Sequence, residues 1–142
     1  MAEKNIRLEV VTPDKIVVDE EARIVMAPGS LGEFGVLVGH TPFLTTLKIG
    51  AMHYQDAQGK ERWIFINGGF AEALPDKVTI LTESAERRKD IDMARAQAAL
   101  DRAQKRLAEE GKKADVDFLR AKAALERALY RLKLAQTRGS GH

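Results

Sequence analysis

The sequence predicts an α+β chain in two domains, an antiparallel β-sandwich followed by an antiparallel two-helix hairpin. Three observations predict it. Short stretches of alternating apolar residues, separated by glycine and proline, fill the first part. From Asp90 onward there is no proline, and alanine, leucine, arginine and glutamate dominate, which are strong helix formers. One helical segment is also written twice: IDMARAQAALDRAQKRL at 91–107 and VDFLRAKAALERALYRL at 116–132 share ten of seventeen positions, so the pair is built to match.

The elements follow in order. Ile6, Leu8 and Val10 alternate with polar neighbours in IRLEVV, and KIVVD and ARIVMA repeat the period of two. Pro13-Asp14 and the glycines at 29, 32, 35, 39, 50 and 59 punctuate at short intervals. AMHYQ and ERWIFIN flank Asp56–Gly59, a hairpin signal, and KVTILTE follows the turn Leu74-Pro75-Asp76. Many short strands between turns argue for a sandwich or barrel and against a βαβ sheet. TESAERRKD, 82–90, is polar and charged and reads as the join. The expected boundaries are 1–85 for the sandwich, 86–90 for a linker and 91–138 for the hairpin.

Asp90 or Asp92 suits the start of the first helix, Asp115 or Asp117 that of the second, and Gly111-Lys-Lys breaks between them. Met93, Ala96, Leu100, Ala103 and Leu107 are spaced three, four, three, four, and Phe118, Ala121, Leu125, Ala128 and Leu132 repeat that spacing. Each set is a narrow apolar seam, with alanines that permit close approach. Arg95, Arg102 and Arg106 lie about 120° round from the first seam, and Arg120, Arg127 and Arg131 at the same angle from the second. Antiparallel pairing of the seams predicts all six arginines on one broad face.

Bulk properties limit the function classes. The 142 residues carry a net charge of +2, unevenly: residues 1–89 sum to −2 and residues 90–142 to +4. There is no cysteine, so disulfides and thiolate chemistry are excluded. The start MAEKNIRLEV lacks a signal peptide's apolar core, and no run reaches the ~18 apolar residues of a membrane span. Three scattered histidines, His40, His53 and His142, suggest no metal site and no catalytic constellation. PGSLGEFGV lacks the Gly-Lys-Ser/Thr ending of a P-loop. Trp63 and Phe65 read as core or partner surface, and Glu33 as an exposed loop acid.

The arginine face is the feature that can carry function. Guanidinium forks pair bidentately with phosphates and carboxylates. The plain alternative is a solvated face making i,i+4 pairs. Two stripes in register favour a bound anion or an acidic partner surface. Nucleic acid is disfavoured, because charge is nearly balanced and no aromatics interleave with the arginines.

GSLGEFGVLVGHTPFLTTLKIG, then NGGFAEALPDKVTILTESAE, then DIDMARA and DVDFLRA, resembles the epsilon-subunit family of bacterial F-type ATP synthases across residues ~4–135. Val38 departs from the pattern, which has proline before Gly-His, and the tail Gly139-Ser-Gly-His142 matches nothing in it. The resemblance implies a flattened ten-stranded sandwich and a mobile helical hairpin. It implies a non-catalytic rotor subunit at the cytoplasmic face of the bacterial membrane, peripheral, touching the membrane only through the c ring of a proton- or sodium-translocating synthase. Its partners would be the gamma subunit, the c ring and an acidic segment of the beta subunit. Glu33 and His40 match the region facing gamma and the c ring. Arg120, Lys122, Arg127 and Arg131 match the basic surface that meets beta when the extended hairpin inhibits ATP hydrolysis. No cofactor is required, but some members bind regulatory ATP on the folded-down hairpin. The matching positions here are Glu86, Ile91, Asp92, Arg95, Ala96, Arg102, Arg127 and Arg131. Rival readings are a free-standing anion sensor and a structural adaptor; an enzyme is the weakest.

Overall fold

The computed structural model describes residues 5–110 and 116–137. Seven strands come first: β1 (Ile6–Val11), β2 (Ile16–Gly29), β3 (Gly32–Val36), β4 (Phe43–Asp56), β5 (Glu61–Ala73), β6 (Lys77–Leu81) and β7 (Ala85–Arg87). A 3-10 turn, Arg88–Asp90, leads into α1 (Met93–Glu110) and α2 (Val116–Gln136). The helix break at Gly111, the Asp115 cap, residue 138 of the hairpin and the tail lie outside the described residues.

Pairing runs in a closed circuit, β1 to β6 to β5 to β4 to β2 and back to β1, with β3 added on β2 and β7 on β5. Closure satisfies the edges that an open sheet leaves unpaired. The expected antiparallel sandwich holds except for one pair: β1 and β6 run parallel, Leu8 beside Val78 and Val10 beside Ile80.

Three long strands replace the many short ones expected, and the implied ten strands are seven among the described residues. The reason lies in bends that do not end the strand. A strand buries alternate residues, so one extra residue flips the buried set. In β2 the buried set passes from Val18 and Ala22 to Val25 and Ala27 across a register shift between Ala22 and Ile24. In β5 it passes from Ile64 and Ile66 to Ala71 and Ala73 across Gly68 and Gly69, whose φ values are +70° and +116°. A Cβ on Gly69 would sit 1.9 Å from the Leu81 carbonyl oxygen, so only glycine fits that corner. The strands thereby serve both layers, around one core that includes Leu8, Val25, Met52, Tyr54 and Ile80.

The predicted turns are present. Asp56 and Gly59 close the β4–β5 hairpin, and Leu74–Lys77 closes β5–β6. Asp56 is buried and accepts from the Gln58 and Lys60 N–H groups at 3.0 and 2.9 Å and from Arg62 Nε at 3.2 Å. Burial pushes its carboxyl up, but these donors and the Arg62 charge outweigh that and hold it below the usual carboxylate range.

Strand pairing carries past residue 85 into the segment expected as a linker. Several of its charges are held by partners distant in the chain, which its polarity alone does not reveal. Arg87 donates to the Tyr54 hydroxyl at 3.5 Å and the Val17 carbonyl at 3.2 Å. Tyr54 in turn donates to Glu20, and burial, followed by that bond, raises its pKa to about 12. Arg88 is buried and donates to Thr137 Oγ1 at 3.3 Å.

Asp56→Ala should destabilise the chain by ~1.5–3 kcal/mol in denaturant unfolding, the range for hydrogen bonds to a charged group. The native pKa is depressed, so the wild-type stabilisation is full above the unfolded value of about 3.9 and is lost as pH falls through the lower folded value. Asp56→Asn should flatten that acid limb of the stability profile.

Candidate functional site

The hairpin docks on the outer face of β4 and β5. Ile49 and Ala51 from β4 and Trp63 and Phe65 from β5 meet Ile91, Tyr130, Leu134 and Ala135. This covering explains why Ile64, Phe65 and Ile66 are all buried in a strand that should alternate. The seams pair as expected: Ala96, Leu100 and Ala103 on α1 and Ala121 and Ala128 on α2 are buried. Ala135 continues the seam, whereas Tyr130 and Leu134 lie off it, so α2 is apolar on a second side, and that side faces the sandwich.

Docking carries polar contacts as well. Arg131 Nε donates to Glu86 Oε1 at 2.5 Å, and its guanidinium carbon lies 4.4 Å from the Phe65 ring centroid. The pair joins α2 to β7 and is partly buried, so solvent screens it less than an exposed pair. Asp92 caps α1: its carboxylate accepts the Arg95 N–H at 3.1 Å, and its carbonyl accepts the Ala96 N–H at 3.0 Å.

Two adjoining clefts follow, one at this joint and one between the two helices. The first, about 470 Å³, is lined by Glu86, Ile91, Asp92, Arg95, Ala96, Arg102 and Arg131, with Ser84, Asp90 and Ala99. Three arginines face three acids there. The second, about 200 Å³, shares Ala99, Arg102 and Arg131 and adds Arg106 and Arg127 among alanines, with no acid. Seven of the eight expected anion-binding residues therefore line one cleft, and the eighth, Arg127, lines its neighbour. The positive end of α1 borders the first cleft, where the Asp92 carboxylate caps it.

The arginine stripe is divided between the clefts and the far end of the hairpin. Five of the six arginines line the clefts, and Arg120 lines neither. It is the repeat partner of Arg95, so antiparallel pairing sends it to the other end of the hairpin, away from the 84–92 segment. Arg120 and Lys122 are exposed there.

Glu33 and His40 lie on the sandwich, away from the clefts. Glu33 is exposed on β3, with Oε2 3.8 Å from His53 Nε2, while His53 Nδ1 lies 2.7 Å from Glu61 Oε1 and its ring stacks on Trp63. The His40 ring makes an edge contact with Phe43, and Nδ1 lies 2.7 Å from the Thr41 carbonyl. Among the described residues, no hydrogen bond, ion pair or ring contact joins Glu33 to His40. Sequence reasoning placed Arg106 on the arginine face and read Phe65 as core or partner surface, and it missed Ser84, Arg88 and Asp90 as neighbours of the joint. Only the extra apolar pair Tyr130 and Leu134, spaced i,i+4 outside the seam, signalled that α2 had a second surface to cover.

Comparison with known proteins agrees with this architecture. The ATP synthase Delta/Epsilon chain beta-sandwich domain matches residues 5–88, and the Delta/Epsilon chain long alpha-helix domain matches residues 89–136. The chain belongs to the ATP synthase epsilon family. The ATP synthase epsilon chain of Desulfosudis oleivorans is 65% identical over 107 residues, 75% of this chain and 80% of that one. That of Desulforapulum autotrophicum is 68% identical over 109 residues, 77% and 80% of the two chains. A chain in the Euglena gracilis mitochondrial ATP synthase OSCP/F1/c-ring structure superposes with a TM-score of 0.79 at 25% identity, covering 96% of this chain and 84% of that one. As an epsilon chain, the protein is a non-catalytic subunit of ATP synthase. The boundary between the two epsilon domains, 88/89, falls inside the 3-10 turn and leaves β7 with the sandwich.

Leu134→Asp places a charge in the apolar joint and should undock the hairpin while the sandwich keeps its own melting transition. Trp63, the sole tryptophan, reads this directly: its emission should shift to longer wavelength. Arg131→Ala removes the Glu86 and Phe65 contacts together and should weaken docking by ~1–2 kcal/mol, measured by the same emission in a denaturant titration.

Proposed function

We propose that this chain is a central-stalk rotor subunit of a proton- or sodium-translocating F-type ATP synthase, and that its docked hairpin holds ATP in the paired arginine clefts. The observation that carries the ATP reading is the convergence of Glu86, Ile91, Asp92, Arg95, Ala96, Arg102 and Arg131 on one cleft of about 470 Å³, beside a second holding Arg106 and Arg127. That volume suits a nucleotide-sized ligand. The charge layout orients it. Glu86, Asp90 and Asp92 make the first cleft neutral as a whole, and Ile91 and Ala96 give it apolar walls, which suits base and sugar. The all-cationic second cleft suits the phosphates. Arg131, held by Glu86, stands where the two clefts meet.

The energetics favour a reversible hairpin. Four buried apolar residues hold it to the sandwich, against eighteen inside the sandwich core, so docking can open without unfolding the sandwich. ATP bound only by the docked form stabilises that form by mass action. At low ATP the hairpin is released, extends, and inhibits hydrolysis by meeting an acidic beta-subunit segment. Arg120 and Lys122, exposed and outside the clefts, favour this second role for the far end, with Arg127 and Arg131 shared between both states.

The sandwich supplies the rotor contacts. Leu44, Phe70 and Leu81 are 71%, 52% and 51% exposed, and Phe70 pairs directly with Leu81 across β5 and β6. An apolar strip of this kind suits a protein partner, and we assign it to the gamma subunit. Glu33 and His40 are assigned to the end facing the c ring and gamma. The subunit then sits at the cytoplasmic face of the membrane, held there through the c ring.

Calorimetric titration of ATP into the purified chain should give saturable one-to-one binding. Arg95→Ala and Arg106→Ala should each weaken it at least tenfold, about 1.4 kcal/mol. Absence of heat up to millimolar ATP would overturn the nucleotide reading and leave the arginines to protein docking. Unchanged affinity in Arg106→Ala alone would overturn the phosphate assignment of the second cleft.

A further inference from the structure

A third cleft lies on the other flank of α2. It measures about 510 Å³ and is lined by Ala51, Trp63, Tyr130 and Leu134, with Glu61, the exposed Lys133, and the buried Arg88, which donates to Thr137. Tyr130, Lys133, Leu134 and Thr137 are spaced as one helix face, about 100° round α2 from the stripe of Arg127 and Arg131. The cleft is therefore separate from the two arginine clefts, although, like the first of them, it depends on the docked hairpin.

Its surroundings are strongly basic. A shallow groove continues from it past Trp63 and Arg88, lined by Lys60, Arg62, Arg87 and Lys89. Asp56 offsets Arg62 at 3.2 Å, Arg87 donates to Tyr54 and Val17 and Arg88 to Thr137, and Glu61 is turned to His53 at 2.7 Å, so the exposed cations of cleft and groove are Lys60, Lys89 and Lys133. A cation-rich rim beside an apolar, aromatic-walled hollow is complementary to one chemical class: an apolar body carrying an anionic head.

We propose that this cleft binds a small amphipathic anion, an acyl chain or aromatic ring bearing a carboxylate or phosphate. Its apolar part lies between Trp63 and the Tyr130–Leu134 face of α2, and its charge lies toward Lys133 and the basic groove. Such a ligand touches β4, β5 and α2 at once, so it stabilises the docked hairpin independently of any nucleotide.

The test uses the full chain and decanoate, below its aggregation concentration, with decanol as the neutral arm. Trp63, the sole tryptophan, lines the cleft and supplies the signal. The expected result is a saturable shift of Trp63 emission to shorter wavelength with decanoate, and at least tenfold weaker binding of decanol. Lys133→Glu, a surface change, should weaken decanoate at least tenfold and leave decanol unchanged. Arg95→Ala should leave both unchanged, which separates this site from the nucleotide reading. No saturable change up to millimolar decanoate, equal binding of decanol, or loss of decanoate binding in Arg95→Ala would each overturn the proposal.

Discussion

Covering the outer face of β4 and β5 is the constraint on which the rest of the structure depends. Ile49, Ala51, Trp63 and Phe65 project from the side of the strands opposite the sandwich core, and left bare they would form an apolar patch. Ile91, Tyr130, Leu134 and Ala135 cover them. That contact fixes where the hairpin lies. It also places α1 and α2 against Ser84–Asp92, and so turns an arginine stripe into lined clefts.

The same contact explains the economy of the join between domains. β7 pairs with β5, Arg87 reaches into the β2 and β4 residues behind it, and the 3-10 turn delivers Ile91 to the joint. Asp92 then starts α1 at once. A helix that begins this close to the sandwich has its positive end, Arg95 and the acids of 86–92 within one cleft. The charged residues between the domains therefore set the geometry of the joint.

Arg131 connects structure to function most directly. It holds Glu86 and stacks on Phe65, so it helps dock the hairpin, and it lines both arginine clefts. An anion that engages this guanidinium bears on docking through the same side chain. This gives a physical route by which ligand occupancy and hairpin position are linked, without any long-range pathway.

Local pattern by itself determined the alternation of β1, the hairpin at Asp56–Gly59, the two helices and their seams, and the in-register arginines. These depend on periodicity and turn chemistry, which act over a few residues. Resemblance named the set Glu86, Ile91, Asp92, Arg95, Ala96, Arg102, Arg127 and Arg131, but only the tertiary structure showed how they meet. The parallel pairing of β1 with β6, the bends that let β2 and β5 serve two layers, and the strand character of 85–87 were also decided at that level. Each rests on contacts between residues far apart in the chain: Leu8 with Val78, Gly69 against Leu81, Arg87 with Val17. Sequence spacing placed Arg95 and Arg120 alike, because it sees only each helix's own axis. The fold separated them, because an antiparallel pair lays one beside the sandwich and sends its twin to the opposite end.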